Sequence, residues 1–234
     1  MKAIIKRELA SYFTSPIGYI YLAVIYFLSG YFLFTIVLIN NSNDIRAVFQ
    51  SMLTIVMFCA PLLTMRLMSE DKRRKTDQTL LTAPVSLTGI VFGKFFAAAL
   101  MYLASISVLL VFALVLHSFS PVNWAVIIGN FAGLLLLGLV FIAIGLFVSS
   151  LTENQAIAAI GSFVVMLGLF MLDAIPTLIP NPVVTALIRE ISVLRRYTPI
   201  TQGILGIADL VFFISVSGIF LFLTARVLEK RRWS

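Results

Sequence analysis

Six apolar blocks, each long enough to cross a bilayer, leave this chain few folds to choose from. They run over about Ile17–Ile39, Ala47–Met65, Leu87–Leu116, Trp124–Val148, Ala156–Leu172 and Leu210–Leu228. Hydrocarbon offers no water to backbone amides, so an apolar segment of about 20 residues must satisfy them internally as a helix. A porin-like barrel needs strands of roughly ten residues that alternate polar and apolar, and these blocks do not alternate. The expected fold is an all-α integral membrane protein with six transmembrane helices, in a single transmembrane domain over residues 1–234. Composition points the same way. Hydrophobic residues make up 61% of the chain and charged residues 12%, against about 45–50% and about 25% in soluble domains.

The connecting segments carry the remaining information. Within 1–16, Ile5, Leu9, Tyr12 and Phe13 recur at helical spacing while Lys2, Lys6 and Arg7 lie elsewhere on the wheel, and Pro16 stops the pattern. This predicts either an amphipathic interfacial helix or a flexible basic tail. The apolar run that follows exceeds a signal core and no small-residue cleavage site succeeds it, so it is expected to be a retained first span. Pro61 predicts a kink near the end of the second block, and Gly129 with Gly133 forms a GxxxG pair suited to close helix packing. Residues 173–209 differ: Pro176, Pro180, Pro182 and Pro199 interrupt a moderately apolar stretch that also holds Arg189, Glu190, Arg195 and Arg196. Short interfacial or re-entrant helices fit it better than a plain span.

Charge sets the orientation. With six spans, one side receives Lys2, Lys6, Arg7, Arg66, Lys72, Arg73, Arg74, Lys75, Lys94, Arg226, Lys230, Arg231 and Arg232, and the other only Arg46, Arg189, Arg195 and Arg196, out of 17 Lys and Arg. The positive-inside bias therefore places both termini and residues 66–94 in the cytoplasm. The net charge of +7 reflects the same bias, and no soluble domain exists to present it to nucleic acid.

No catalytic constellation is visible. The lone His117 and the lone Cys59 have no companions with which to ligate a metal or form an intrachain disulfide. Gly89 to Lys94 falls short of a phosphate loop, which requires GxxxxGK followed by Ser or Thr. The spans hold almost no ionisable residue on this reading: Asp173 and Asp209 fall at span edges and Asn130 is merely polar. A proton- or sodium-driven carrier would need a buried carboxylate or a broken helix near the midplane, so the driving energy is expected to come from outside this chain.

The longest charged stretch lies between the second and third blocks. Glu70 with Arg74 and Asp71 with Lys75 are acid-to-base pairs at i,i+4 that support a helix, Pro84 would end it, and Ser86 is a suitable N-cap for the third span. The segment reads as a force-transmitting amphipathic helix or as a solvated charged loop. Its sequence is Arg-Leu-Met-Ser-Glu-Asp-Lys-Arg-Arg-Lys-Thr-Asp-Gln-Thr-Leu-Leu-Thr-Ala-Pro-Val-Ser from Arg66 to Ser86, with Gly93-Lys94 beyond. It resembles the signature of type-2 ABC transporter permeases, in which an acidic pair, basic residues, Thr, Leu-Leu, Pro and a later Gly-Lys recur between the second and third spans. Residues 6–16, Lys-Arg-Glu-Leu-Ala-Ser-Tyr-Phe-Thr-Ser-Pro, resemble the subgroup associated with gliding motility. Lys75-Thr76-Asp77 departs from the Gly-Thr pair of many relatives.

The resemblance implies a non-enzymatic permease subunit of the bacterial inner membrane that exports or moves an unidentified substrate. It also implies two separate ABC ATPase subunits that bind ATP and Mg, a second permease copy or homologue, and a place for a periplasmic or membrane accessory protein. It carries no cofactor of its own. By the same analogy 66–86 contains the cytoplasmic coupling helix, contacting the ATPase through Glu70, Asp71, Arg73, Arg74, Thr79, Leu80 and Leu81. The turn at 149–155 supplies a smaller contact through Glu153 and Asn154, and 173–209 forms the outer re-entrant helices. A non-transporting membrane scaffold and a secondary carrier are the competing readings.

Overall fold

The computed structural model describes residues 1–40, 45–76, 86–119, 121–178, 185, 188, 190–203 and 206–233. Every regular element among them is helical. Helix α1 (Lys2–Thr14) stops at Ser15, whose extended backbone is the conformation a following proline demands. Pro16 then occupies the first turn of α2 (Pro16–Phe32), where its missing N–H costs nothing. A π-helical segment, Leu33–Leu38, carries α2 onward.

The second span is longer than its apolar block. Helix α3 (Arg46–Thr64) contains Pro61 and is followed, after a one-residue break at Met65, by α4 (Arg66–Arg73). Pro61 cannot donate to the carbonyl one turn back, and the regular helical bonding is interrupted shortly after it at Met65, whose own backbone stays helical. The charged sequence from Arg66 thus begins as a helical continuation of the span. It closes at Lys75, which adopts a positive φ of 56°.

Helix α5 (Leu87–Ile106) starts under the Ser86 hydroxyl, which accepts from the Gly89 amide at 3.2 Å, and α6 (Val108–Phe119) prolongs it beyond Ser107. Helices α7 (Trp124–Leu151) and α8 (Gln155–Met171) are capped by the Asn123 and Asn154 side chains. A 3-10 turn, Leu172–Ala174, and the short α9 (Ile175–Leu178) follow. Ser192 caps α10 (Val193–Thr201), and α11 (Ile207–Trp233) ends the described chain. Among the described residues six helical stretches are long and apolar enough to cross a membrane: Pro16–Leu38, Arg46–Arg73, Leu87–Phe119, Trp124–Leu151, Gln155–Ala174 and Ile207–Arg231.

Helix α7 is the centre of the bundle. Like the second span it buries 61% of its most apolar window, whereas the first, fifth and sixth spans bury 17–22% and line the outside. Its small residues admit neighbours closely. A Cβ added to Gly138 would lie 2.2 Å from the Tyr102 ring of α5, and one on Gly145 2.1 Å from Thr64 Oγ1 of α3. Tyr102 is buried there and donates to the Leu134 carbonyl at 2.6 Å. The outer helices instead present Tyr19, Phe27, Ile160, Val164, Ile214 and Phe222, as a surface solvated by lipid should.

Side-chain ties fix which ends lie together. Arg7 of α1 reaches Asp71 of α4, α4 rests on Ser149 near the end of α7, and Glu153 just beyond α7 meets Arg231 near the end of α11 at 3.0 Å. The first helix, residues 66–76, the 149–155 turn and the last helical turns therefore share one end of the bundle. At the opposite end, His117 packs edge-on against Trp124 with ring centroids 5.6 Å apart.

Candidate functional site

At the end shared by the termini, α1, α4 and α5 meet around a buried cation. Lys94 lies in the second turn of α5, 1% exposed. Its ammonium donates to Glu8 Oε1 at 3.0 Å, to Asp71 Oδ2 at 2.5 Å and to the Leu67 carbonyl. Those three bonds exhaust its donors. Arg7 closes the ring, 2.6 Å from Glu8 and 3.4 Å from Asp71. Burial lowers the affinity of the Arg7 guanidinium for its proton, but the two carboxylates outweigh it and raise its pKa overall.

Helix α1 reaches this position because one face fits the protein. Ile4, Glu8 and Tyr12 recur at i,i+4 and turn inward. Ile4 lies against Gly93, where an added Cβ would come within 2.9 Å of its side chain. Tyr12 donates to the Leu63 carbonyl at 2.8 Å, and burial holds its hydroxyl well above the ordinary pKa range, so it remains a neutral donor. The sequence pattern put Tyr12 on a face with Ile5, Leu9 and Phe13. The structure corrects that: Ile5 and Leu9 are half-buried and Phe13 is exposed.

Helix α4 is fastened on its other side as well. Ser149 Oγ accepts from the Met68 and Ser69 amides, both at 3.1 Å, and bonds the Met65 carbonyl at 3.1 Å. The break at Met65 orphans the first amides of α4, and a serine from another helix supplies the cap. Lys72 donates to the Ser150 carbonyl. Glu70 lies between Arg66 and Arg74, at 2.6 and 2.7 Å, and Arg66 also donates to Ser15 at 2.8 Å. A cleft of about 220 Å³ opens among these charged side chains, Ser11 and Thr76.

The model of the ABC-2 family transporter protein matches residues 37–228. The chain belongs to this family. It is accordingly a multi-pass membrane protein and the membrane domain of an ABC-2 transporter. No curated protein matches it.

The permease gathers part of the site expected from its sequence. Glu70, Asp71, Arg73 and Arg74 all lie on or at the end of α4, near Glu153 and Asn154 in the neighbouring turn. They differ in what they face. Glu70 and Asp71 are engaged within the chain, whereas Arg73 is exposed and the Arg74 side chain is 69% exposed. Asp71 pairs with Lys94 and Arg7; Lys75, its expected i,i+4 partner, falls beyond the helix. Glu153 pairs with Arg231, and the Asn154 side chain caps α8 by accepting from the Ala156 amide at 2.9 Å. Thr79, Leu80, Leu81 and Pro84 lie outside the described residues. Gly129 and Gly133 sit far from this junction, under α10: an added Cβ would approach the Ile200 carbonyl at 3.1 Å and the Ile200 side chain at 2.7 Å.

Two further features correct the sequence reading. The spans are not free of ionisable groups, because Lys94 is buried inside the third with Glu8 and Asp71 as counterions. Its position eight residues into an apolar block was the available signal. Asn130 is also more than polar. It is fully buried and bonds the Val126 and Thr201 carbonyls, both at 2.8 Å, tying α7 to α10.

Proposed function

We propose that this permease transmits ATP-driven motion from separate ABC ATPase subunits to its spans, with α4 and the 149–155 turn as the docking surface. The observation that carries this reading is the two-sided nature of α4. Its inner face is bonded to α1, α5 and α7, while Arg73 and Arg74 point outward with no core to cover them. A push received by that surface passes into the second span, of which α4 is the end, and through these bonds into the third and fourth. On this reading both termini face the cytoplasm of a bacterial cell, and a second permease copy or homologue completes the path for an exported substrate. Residues 173–209 form its outer re-entrant segment, and the whole is one transmembrane domain. The residues at 6–16 favour the gliding-associated subgroup.

The test is co-purification of the tagged chain in mild detergent, followed by the Arg73→Glu/Arg74→Glu variant. A stoichiometric ATPase should co-elute, and reversing two interface charges should weaken its binding by about 1.4 kcal/mol or more, roughly tenfold. Unchanged binding and unchanged ATPase stimulation would refute the docking assignment. Glu70 and Asp71 make a poorer test, since reversing either disrupts pairs inside the chain.

A further inference from the structure

The attachments of α1 straddle the Met65 break. On the near side, Tyr12 holds the Leu63 carbonyl of α3. At the break, Ser15 accepts from Arg66. On the far side, Arg7 meets Asp71 of α4, and Glu8 reaches Lys94 of α5, the same ammonium that grips Asp71 and Leu67. One helix of 13 residues thus bonds to the second span on both sides of the interruption at Met65 and to the span beside it. A break invites bending unless something bridges it, and here the bridge is built from buried or half-buried groups together with the exposed Arg7. Ile4 seated against Gly93 adds a steric stop where no side chain intervenes.

We propose that α1 is a brace across the Met65 break, fastened by Tyr12 to Leu63, by Arg7 to Asp71 and by Glu8 to Lys94. With the brace in place, α4 moves with the second and third spans as one body. Without it, displacement of α4 is absorbed at Met65. Glu8 and Lys94 are then positioning residues that act through α4. The consequence for transport rests on the coupling function proposed above; the brace itself does not.

The experiment measures two quantities on the full-length permease in lipid nanodiscs. Amide hydrogen exchange over 66–73 is followed in the wild type, in Glu8→Gln and in the milder Tyr12→Phe, which leaves every charge in place. ATP hydrolysis by the co-purified ATPase is followed in the same samples. Loss of the brace should speed exchange over 66–73 by roughly tenfold or more. It should also lower the stimulated turnover number while leaving KM for ATP unchanged. If both single variants fold and exchange over 66–73 stays at the wild-type rate, the brace is overturned. If exchange rises while ATPase stimulation does not change, the brace stands and the coupling role of α4 fails.

Discussion

Replacing Lys94 with methionine leaves a flexible apolar side chain one atom shorter and removes the ammonium with its three bonds, which makes the cost calculable. The ammonium stands 3.0 Å from Glu8 and 2.5 Å from Asp71. At an effective dielectric of about 20, those separations correspond to about 5–7 kcal/mol of attraction apiece. Dehydrating three charged groups offsets most of it, so the intact cluster contributes little net stability. Removing one partner is different. Both carboxylates remain dehydrated and now repel each other, a situation that costs about 3–5 kcal/mol. Arg7 still reaches both, but its side chain is 47% exposed and compensates only in part, which places the loss near the lower bound, about 3 kcal/mol. Reversible unfolding of the purified protein in mixed micelles with increasing SDS measures it. The triple variant Glu8→Gln/Asp71→Asn/Lys94→Met should recover most of the loss, because no buried charge is then left without a partner. A loss below about 1 kcal/mol in the single variant, or no recovery in the triple, would refute this account of the cluster.

Two other outcomes follow from the core. Gly138→Ala places a methyl 2.2 Å from a buried tyrosine ring and should destabilise the bundle by about 1–3 kcal/mol; Tyr102→Leu should relieve the clash, and purely additive losses would argue against it. Cys59, 5% exposed in α3, should react with a membrane-permeant maleimide far more slowly in native micelles than after SDS denaturation. Equal rates would contradict its burial.

What the sequence made legible was the part governed by local pattern. Each apolar block but the second, which runs on to Arg73, became a candidate span within a few residues, and Ser86 became the N-cap its position suggests, because helix length and capping depend on near neighbours. The Glu70–Arg74 pair formed for the same reason. Lys94 is the opposite case. Its counterions lie 23 and 86 residues away in the chain, and hydrophobic periodicity says nothing about such meetings. Helix α1 shows a subtler limit. Its apolar residues suggest one face, yet the face that docks contains Glu8, a charge that only a buried lysine can make welcome. Met65 illustrates a third. The charges from Arg66 mark the end of hydrocarbon, but the helix continues through them because Ser149 of α7 caps the amides that the break exposes.

The order of the chain bears on the buried cation of the third span in one more way. Glu8 and Asp71 both precede Lys94 in the sequence. A ribosome therefore completes the two carboxylates before the ammonium that they neutralise. When the third span enters the bilayer, the lysine it carries does not arrive first and wait for a partner. Its counterions are already made, and the order of synthesis guards the step at which a lone charge in lipid would be hardest to accommodate.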